Sequence, residues 1–300
     1  MPRIRQYLLL IRLPNVFTTP SDIAAGYFVA VAPRGMDITH LAILMVSSGL
    51  LYIAGIIFND YFDIEIDRKE RPFRPLPSGS IPKWHAIAIA VSALVAANAI
   101  TFTIGLTSFA VSVVLSATII AYDYLLKHTS IGPFAMGAAR FLNVILGASP
   151  AVSFSAFASL TGTAIQLGTA VFAATSLLAY VVAITMLSKR EVENERPSPV
   201  PFSIVFAIVA SIGALGLLLL SLQLAFLLNL SIFTAVMIVT YKKYIAPGTP
   251  SVQKAIRNMV ISIIVLDSVF VSGAAGLPYG LATLLFIVPA ALSAKKLYVT

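Results

Sequence analysis

The sequence predicts an all-α, multi-pass membrane protein of nine to ten transmembrane helices. Three observations predict it. Hydrophobic residues make up 59% of the 300 and charged residues 11%, with a mean hydropathy of +0.95; a soluble domain is about a quarter charged. Nearly uncharged runs of about 18 or more residues recur along the chain, the length that crosses a bilayer. The basic residues collect in every second loop. Helices follow because lipid offers backbone N–H and C=O groups no partner outside the segment itself.

The elements can be taken in order. MPRIRQYLLLIRLPN carries charge in both halves of a short apolar patch, which reads as an amphipathic arm on the membrane surface and not as a cleaved signal. Apolar spans follow at about 16–34, 40–58, 84–104, 106–123 and 132–153. The second runs straight into NDYFD, the third starts after Pro82, and the fifth opens on Gly132-Pro133. Five more lie at about 163–187, 200–221, 223–241, 258–275 and 278–294. The sixth ends in SKREVENER and the eighth in YKKY, while AAGLP alone separates the last two, which can be one broken unit. The chain reads as a single unit over 1–300. Acidic loops after spans two and six suggest two related four-helix halves, roughly 10–125 and 130–245, with C-terminal helices added.

With ten spans, 18 of the 20 Lys and Arg fall on one side. Arg34 lies opposite and Arg140 sits within a span. The positive-inside rule makes the charged side, and with it the N-terminus, cytoplasmic at the cell membrane. The net charge of +8 then reflects topology and attraction to anionic lipid or substrate, and no nucleic-acid partner is expected. There is no cysteine, which excludes disulfides and thiolate metal sites. His40, His85 and His128 share no ligand spacing, so no zinc site is expected.

Chemistry is expected at the mouth of the second span. Asn59 to Gly79 reads NDYFDIEIDRKERPFRPLPSG. Asp60, Asp63 and Asp67 stand at i, i+3 and i+7, one face of a helix that continues past Phe58. Asn59 pairs with Asp63 at i, i+4. Carboxylates this close repel unless a cation joins them, and oxygen ligands without Cys or clustered His suit Mg2+, which shares its coordination with substrate phosphate. Arg68, Lys69, Arg71 and Arg74 supply the other half of a phosphate grip. The stretch 68–83 is a candidate lid. Arg140, being intramembrane, is expected at a cavity or paired with Asp123 or Asp267. Asp22 and Asp267 are candidates to line the cavity, and Asp123 to hold Lys127 or the metal.

These residues carry a resemblance. NDxxDxxxD followed by RPxRPxPSG resembles the first aspartate-rich motif of the UbiA superfamily of intramembrane prenyltransferases. RLPNVF is similar to the family's first helix with its Asn, here Asn15. YDYLLKHT at 122–129 resembles its Tyr-rich, Lys-containing motif (Tyr122, Lys127), and GAARFLN at 137–143 (Arg140, Asn143) is also similar. The resemblance implies a UbiA-type helical bundle around a central cavity. It implies Mg2+-dependent transfer of a prenyl group from an isoprenyl diphosphate to a hydrophobic or aromatic acceptor, a quinone precursor or a lipid. Two acidic motifs would face that cavity. Where the family carries DxxxD after its sixth helix, this chain has Glu191 and Glu195 in ExxxE spacing, also on one helical face. The ending KKLYVT resembles an EboC-like branch. The expected metal ligands are thus Asp60, Asp63, Asp67, Glu191 and Glu195. Lys127 joins the three aspartates as catalytic, while Asn15, Asn59, Arg71, Arg74, Tyr122, Arg140 and Asn143 bind substrate. A lipid or precursor carrier of the same fold, without turnover, is the other reading; a CDP-alcohol phosphotransferase is discounted because DGxxAR is absent.

Overall fold

The structure is a computed structural model that describes residues 3–31, 35–152, 160–192, 200–219, 224–246 and 251–297, and these contain helices and connecting turns without a strand. Helix α1 (Arg3–Leu10) covers the stretch expected as a surface arm, and α2 (Leu13–Val16) and α3 (Thr19–Ala30) follow. The first half continues as α4 (Ile38–Phe62), α5 (Ile64–Glu70), α6 (Lys83–Phe102) and α7 (Leu106–Ala121), which ends in a π-helical turn at Tyr122–Leu126. Then come α8 (Gly132–Ala148), α9 (Leu160–Val192), α10 (Val200–Leu219) and α11 (Leu224–Tyr244). The chain closes with α12 (Val252–Ile261), α13 (Ile263–Ala275), α14 (Leu277–Leu284) and α15 (Ile287–Leu297). Among the described residues eight helices are long and apolar enough to cross a membrane, and Val200–Ala214 is a shorter apolar helix.

The first apolar run behaves differently from the rest. It gives a helix of only 12 residues, α3, in which every position except Pro20 is buried. It is an inner helix, packed by α4, α8, α9 and α13. Burial on all sides explains why it can carry Ser21 and Asp22 at membrane depth: partners from neighbouring helices surround them. Two glycines let α3 and α8 cross closely. A Cβ on Gly26 would lie 1.9 Å from the Val144 carbonyl oxygen, and one on Gly147 2.3 Å from that of Ile23. Only a bare Cα permits this approach.

The last two expected spans are each bent. Ser262 separates α12 from α13, and Gly276, at φ +97°, turns α13 into α14. A smaller core near the charged face joins Leu10, Ile57, Ile64, Leu76, Ile81 and Ala86. Leu76 and Ile81 belong to the stretch expected as a lid. In the structure their burial anchors that loop over the end of α4.

Candidate active site

Helix α4 runs on past its apolar span to Phe62, as the aspartate spacing requires. It breaks at Asp63, whose ψ of 4° leaves the helical region, and α5 resumes the turn. Asp60, Asp63 and Asp67 are all buried, and each meets a basic partner. Arg12 donates from Nη2 to Asp60 Oδ1 at 2.6 Å. Arg74 donates from Nη1 to Asp67 Oδ2 at 2.7 Å and lies 3.5 Å from Asp60 Oδ1. Lys127 pairs with Asp63, and His128 Nε2 lies 3.6 Å from the same carboxylate. Arg71 is a looser partner of Asp67, at 3.5 Å.

Arg12 was not singled out by the sequence. It is the only non-glycine residue with positive φ among the described residues (φ 45°, ψ 53°), a conformation that costs a side-chain-bearing residue about 1–2 kcal/mol. The turn aims the guanidinium at Asp60. The signal available was a cation directly before LPN, at the point where the arm must turn into the membrane.

Beside this cluster opens a cavity of about 120 Å³. Its mouth is lined by Asn59, Tyr122 and Asp123, and Asn59 Nδ2 donates to Asp123 Oδ1 at 3.1 Å. The π-helical turn, an extra residue per turn often found at functional sites, presents Tyr122 and Asp123 to the cavity while Lys127 reaches Asp63. The walls are apolar: Leu51, Ile56, Leu115, Ile119 and Met136. The inner end is polar again, with Ser48, Arg140, Asn143 and Thr19. Eleven residues of α4 separate Ser48 from Asn59, which makes the slot about 16 Å long at 1.5 Å per residue.

The structure therefore brings together Asn59, Tyr122, Arg140 and Asn143 on one cavity, with Asp60, Asp63, Asp67, Arg71, Arg74 and Lys127 around its mouth. Asn15 sits on α2, half-buried, and is not among the lining residues; its carbonyl accepts from Thr18 Oγ1 at 2.8 Å. Glu191 lies in the last turn of α9, its side chain outside the described residues, as is Glu195 altogether. Arg140 pairs with Asp22, at 2.9 Å, instead of the expected Asp123 or Asp267. Asp22 and Asp267 do not line the cavity but lie buried behind it. The reason is the inner position of α3, which packs against α8 and brings Asp22 within hydrogen-bonding distance of Arg140.

Among the described residues no three His, Asp or Glu side chains converge on one point. The donor set nonetheless suits a hard divalent ion, being carboxylate oxygen throughout. One positive nitrogen, Arg74 Nη1, already sits between Asp60 and Asp67, so these two carboxylates converge on a single cation position. Because each aspartate has its own basic partner, the cluster is close to neutral before any ligand enters. A diphosphate brings several negative charges and needs further positive charge beside it.

Comparison with known proteins agrees with this arrangement. Residues 23–239 match the UbiA prenyltransferase family. The digeranylgeranylglyceryl phosphate synthase of Sulfolobus acidocaldarius is 29% identical over 145 residues, 48% of this chain and 52% of that protein. The synthase of the same name from Methanocaldococcus jannaschii is 39% identical over 83 residues, 27% of this chain and 28% of that one. The chain spans about half the length, or less, of the curated relatives it matches. A solved digeranylgeranylglyceryl phosphate synthase superposes with a TM-score of 0.64 at 20% identity, over 91% of this chain and 99% of that one. A UbiA homolog from Archaeoglobus fulgidus, solved with DMAPP and Mg2+, gives a TM-score of 0.62 at 14% identity, over 93% and 99%. At these identities the two structures establish the fold.

Proposed function

The chain belongs to the UbiA prenyltransferase family, and from that premise we propose that it transfers a prenyl group from an isoprenyl diphosphate to an acceptor held in the same cavity. One observation carries the reading: a narrow apolar slot whose mouth opens beside three aspartates and their basic partners. A prenyl diphosphate is an anion joined to a hydrocarbon chain and matches both halves of that site. The excess of Lys and Arg on this face supports a cytoplasmic orientation.

Asp60 and Asp67, with Asp63 one turn away, would hold Mg2+; Glu191 and Glu195 are the expected second pair. The bound ion would neutralise diphosphate oxygens and make diphosphate a better leaving group. The remaining roles fall to the chain itself. Arg12, Arg74 and Lys127 bind their carboxylates through charge-assisted bonds and can turn the same donors to diphosphate oxygens. Such preorganised charge is commonly the largest catalytic contribution. In the transfer, the C–O bond to the prenyl carbon breaks and diphosphate leaves with the electron pair. The acceptor's oxygen or ring carbon bonds that carbon and gives up a proton to diphosphate or water. Leu51, Ile56, Leu115 and Ile119 orient the chain and keep water from the allylic carbon. The anchored loop of Leu76 and Ile81 keeps Arg74 near the mouth.

The test uses purified protein in lipid nanodiscs with geranylgeranyl diphosphate, Mg2+ and an extract of lipids and quinone precursors. Diphosphate release should require Mg2+ and fall at least ~100-fold in Asp60→Asn and Asp67→Asn. Tight donor binding without release in the parent protein would instead support a carrier.

A further inference from the structure

The inner end of the slot is built as carefully as its mouth, and the aspartate motif makes no use of it. Arg140 Nη1 donates to Asp22 Oδ2 at 2.9 Å, and Nη2 to Thr18 Oγ1 at 3.0 Å. Asn143 Nδ2 donates to the same Asp22 oxygen at 2.9 Å and to the Thr19 carbonyl at 3.1 Å. The amide oxygen of Asn143 accepts from Ser48 Oγ at 2.8 Å. These groups come from three stretches of chain and are fixed from behind.

The charge of this cluster can be counted. Asp22 and Asp267 are fully buried, and Ser21, beside Asp22 in the chain, ties the second acid to the cluster by donating from Oγ to Asp267 Oδ2 at 2.5 Å. Among the described residues Asp22 Oδ1 has no hydrogen-bond partner. Arg140 pairs with Asp22 at 2.9 Å, and the same cluster holds Asp267 as a second acid. With two acids beside one guanidinium, the cluster has no positive charge to spare. It still offers donors to the cavity: a guanidinium has five N–H groups, and among the described residues two of those on Arg140 are engaged with protein.

We propose that this end holds the polar head of an uncharged, oxygen-bearing ligand, a hydroxyl or carbonyl on an apolar body, and disfavours phosphate and carboxylate heads. A neutral oxygen accepts from Arg140 and adds no charge to the cluster. An anion leaves one negative charge unmatched inside the membrane, where burying an uncompensated ion is costly. Calling this ligand the acceptor rests on the prenyl-transfer reading; the binding preference itself does not require turnover.

The chain has no cysteine, so Met136→Cys on the cavity wall supplies a single reporter. Its rate of maleimide labelling is measured in nanodiscs of uncharged lipid, without donor. Matched probes compete: 4-hydroxybenzyl alcohol against 4-hydroxybenzoate, and 1-O-hexadecylglycerol against its phosphate. Each neutral probe should protect at a concentration at least ~10-fold below its anionic partner. Adding Asp22→Asn and Asp267→Asn leaves Arg140 uncompensated and should reverse the order. Equal or better protection by the anions in the otherwise unaltered protein, or protection by no probe, overturns the proposal even if the double variant fails to fold. Selectivity without diphosphate release in the previous assay would reject transfer and leave the neutral-head site standing.

Discussion

Replacing Gly26 by alanine should open the inner site without touching any group in it. The new Cβ would lie 1.9 Å from the Val144 carbonyl oxygen and 2.9 Å from the Ala148 nitrogen. Both are backbone atoms of α8, so no rotamer change relieves the clash. Reaching ordinary contact at 3.4 Å from 1.9 Å requires the two helices to part by the difference, 1.5 Å. Three hydrogen bonds cross this interface: Arg140 to Asp22 at 2.9 Å, Asn143 to Asp22 at 2.9 Å and Asn143 to the Thr19 carbonyl at 3.1 Å. Stretched by even ~1 Å they pass the ~3.2 Å reach of such bonds. Overpacking costs ~1–3 kcal/mol, and each lost bond adds ~1 kcal/mol. For a chain of this size the sum lowers the melting temperature on the order of 10 °C. Gly168→Ala is the control: nothing among the described residues lies within 4 Å of its added Cβ, so it should be neutral or gain ~0.5–1 kcal/mol. Thermal unfolding in detergent reads both, and labelling of Met136→Cys should quicken in Gly26→Ala alone. A Gly26→Ala protein that melts within ~2 °C of Gly168→Ala would refute the close α3–α8 crossing and the geometry built on it.

Further outcomes follow from other parts of the molecule. Arg74→Ala should weaken geranylgeranyl diphosphate binding ~10–100-fold, whereas Arg71→Ala, with its 3.5 Å contact and more exposed side chain, should cost under ~5-fold; equilibrium binding of labelled donor with Mg2+ compares them. Chelation should abolish donor binding but shift the melting temperature by less than ~2 °C, because Asp60, Asp63 and Asp67 already have their own cations; a large loss of stability would mean that metal is needed to fold. Asp37 caps α4 by accepting from the backbone N–H of Thr39 and His40, which holds its pKa below the usual carboxylate value. Its contribution is present above that usual value and fades as pH falls through the lowered one; the acid limb of a stability-versus-pH curve should flatten in Asp37→Ala. Tyr180→Phe removes the hydroxyl that bonds Ser262 at 2.7 Å and the Met259 carbonyl at 3.0 Å beside the α12–α13 break, and thermal unfolding should show a loss of ~1–2 kcal/mol.

The fold and the mouth of the site were legible because their signals are local. Apolar runs mark helices wherever lipid is the solvent, and the i, i+3, i+7 spacing of Asp60, Asp63 and Asp67 identifies one side of a helix before any packing is known. Tyr122, Arg140 and Asn143 came from resemblance, and they do share the cavity with Asn59. What spacing could not reveal is long-range. Arg12 meets Asp60 across 48 residues, Lys127 meets Asp63 across 64, and Arg140 meets Asp22 across 118. Each pairing depends on how helices cross, and α3 shows how this misleads. Its apolar run resembles the other spans, yet it is short and enclosed, so Asp22 became the partner expected in Asp123 or Asp267. Glycine is the one hint in the sequence: Gly26 and Gly147 sit where α3 and α8 come closest, but isolated glycines do not name their partners.

The two polar ends of the slot both set acids against basic groups, and the way each does so separates their tasks. At the mouth the cations lie in or beside turns: Arg12 at the break between α1 and α2, Arg74 in the loop after α5, Lys127 just beyond the π-helical turn. Their side chains keep 20–34% of their surface exposed, so they can exchange a carboxylate for a diphosphate oxygen by rotating side-chain torsions, at small cost. At the inner end Asp22, Arg140, Asn143 and Asp267 all project from helices; Asp22 and Asn143 are each held by more than one hydrogen bond, and Asp267 by Ser21. Rearranging that cluster would bury an unpaired charge. On the proposed reading, the mouth suits a ligand that arrives charged and leaves more charged, because its counter-ions can move with it. The inner end suits a ligand whose charge never changes while bound, and it positions that ligand by rigid donors. A transferase needs one end of each kind, whereas a carrier that only moves a prenyl diphosphate needs the first alone.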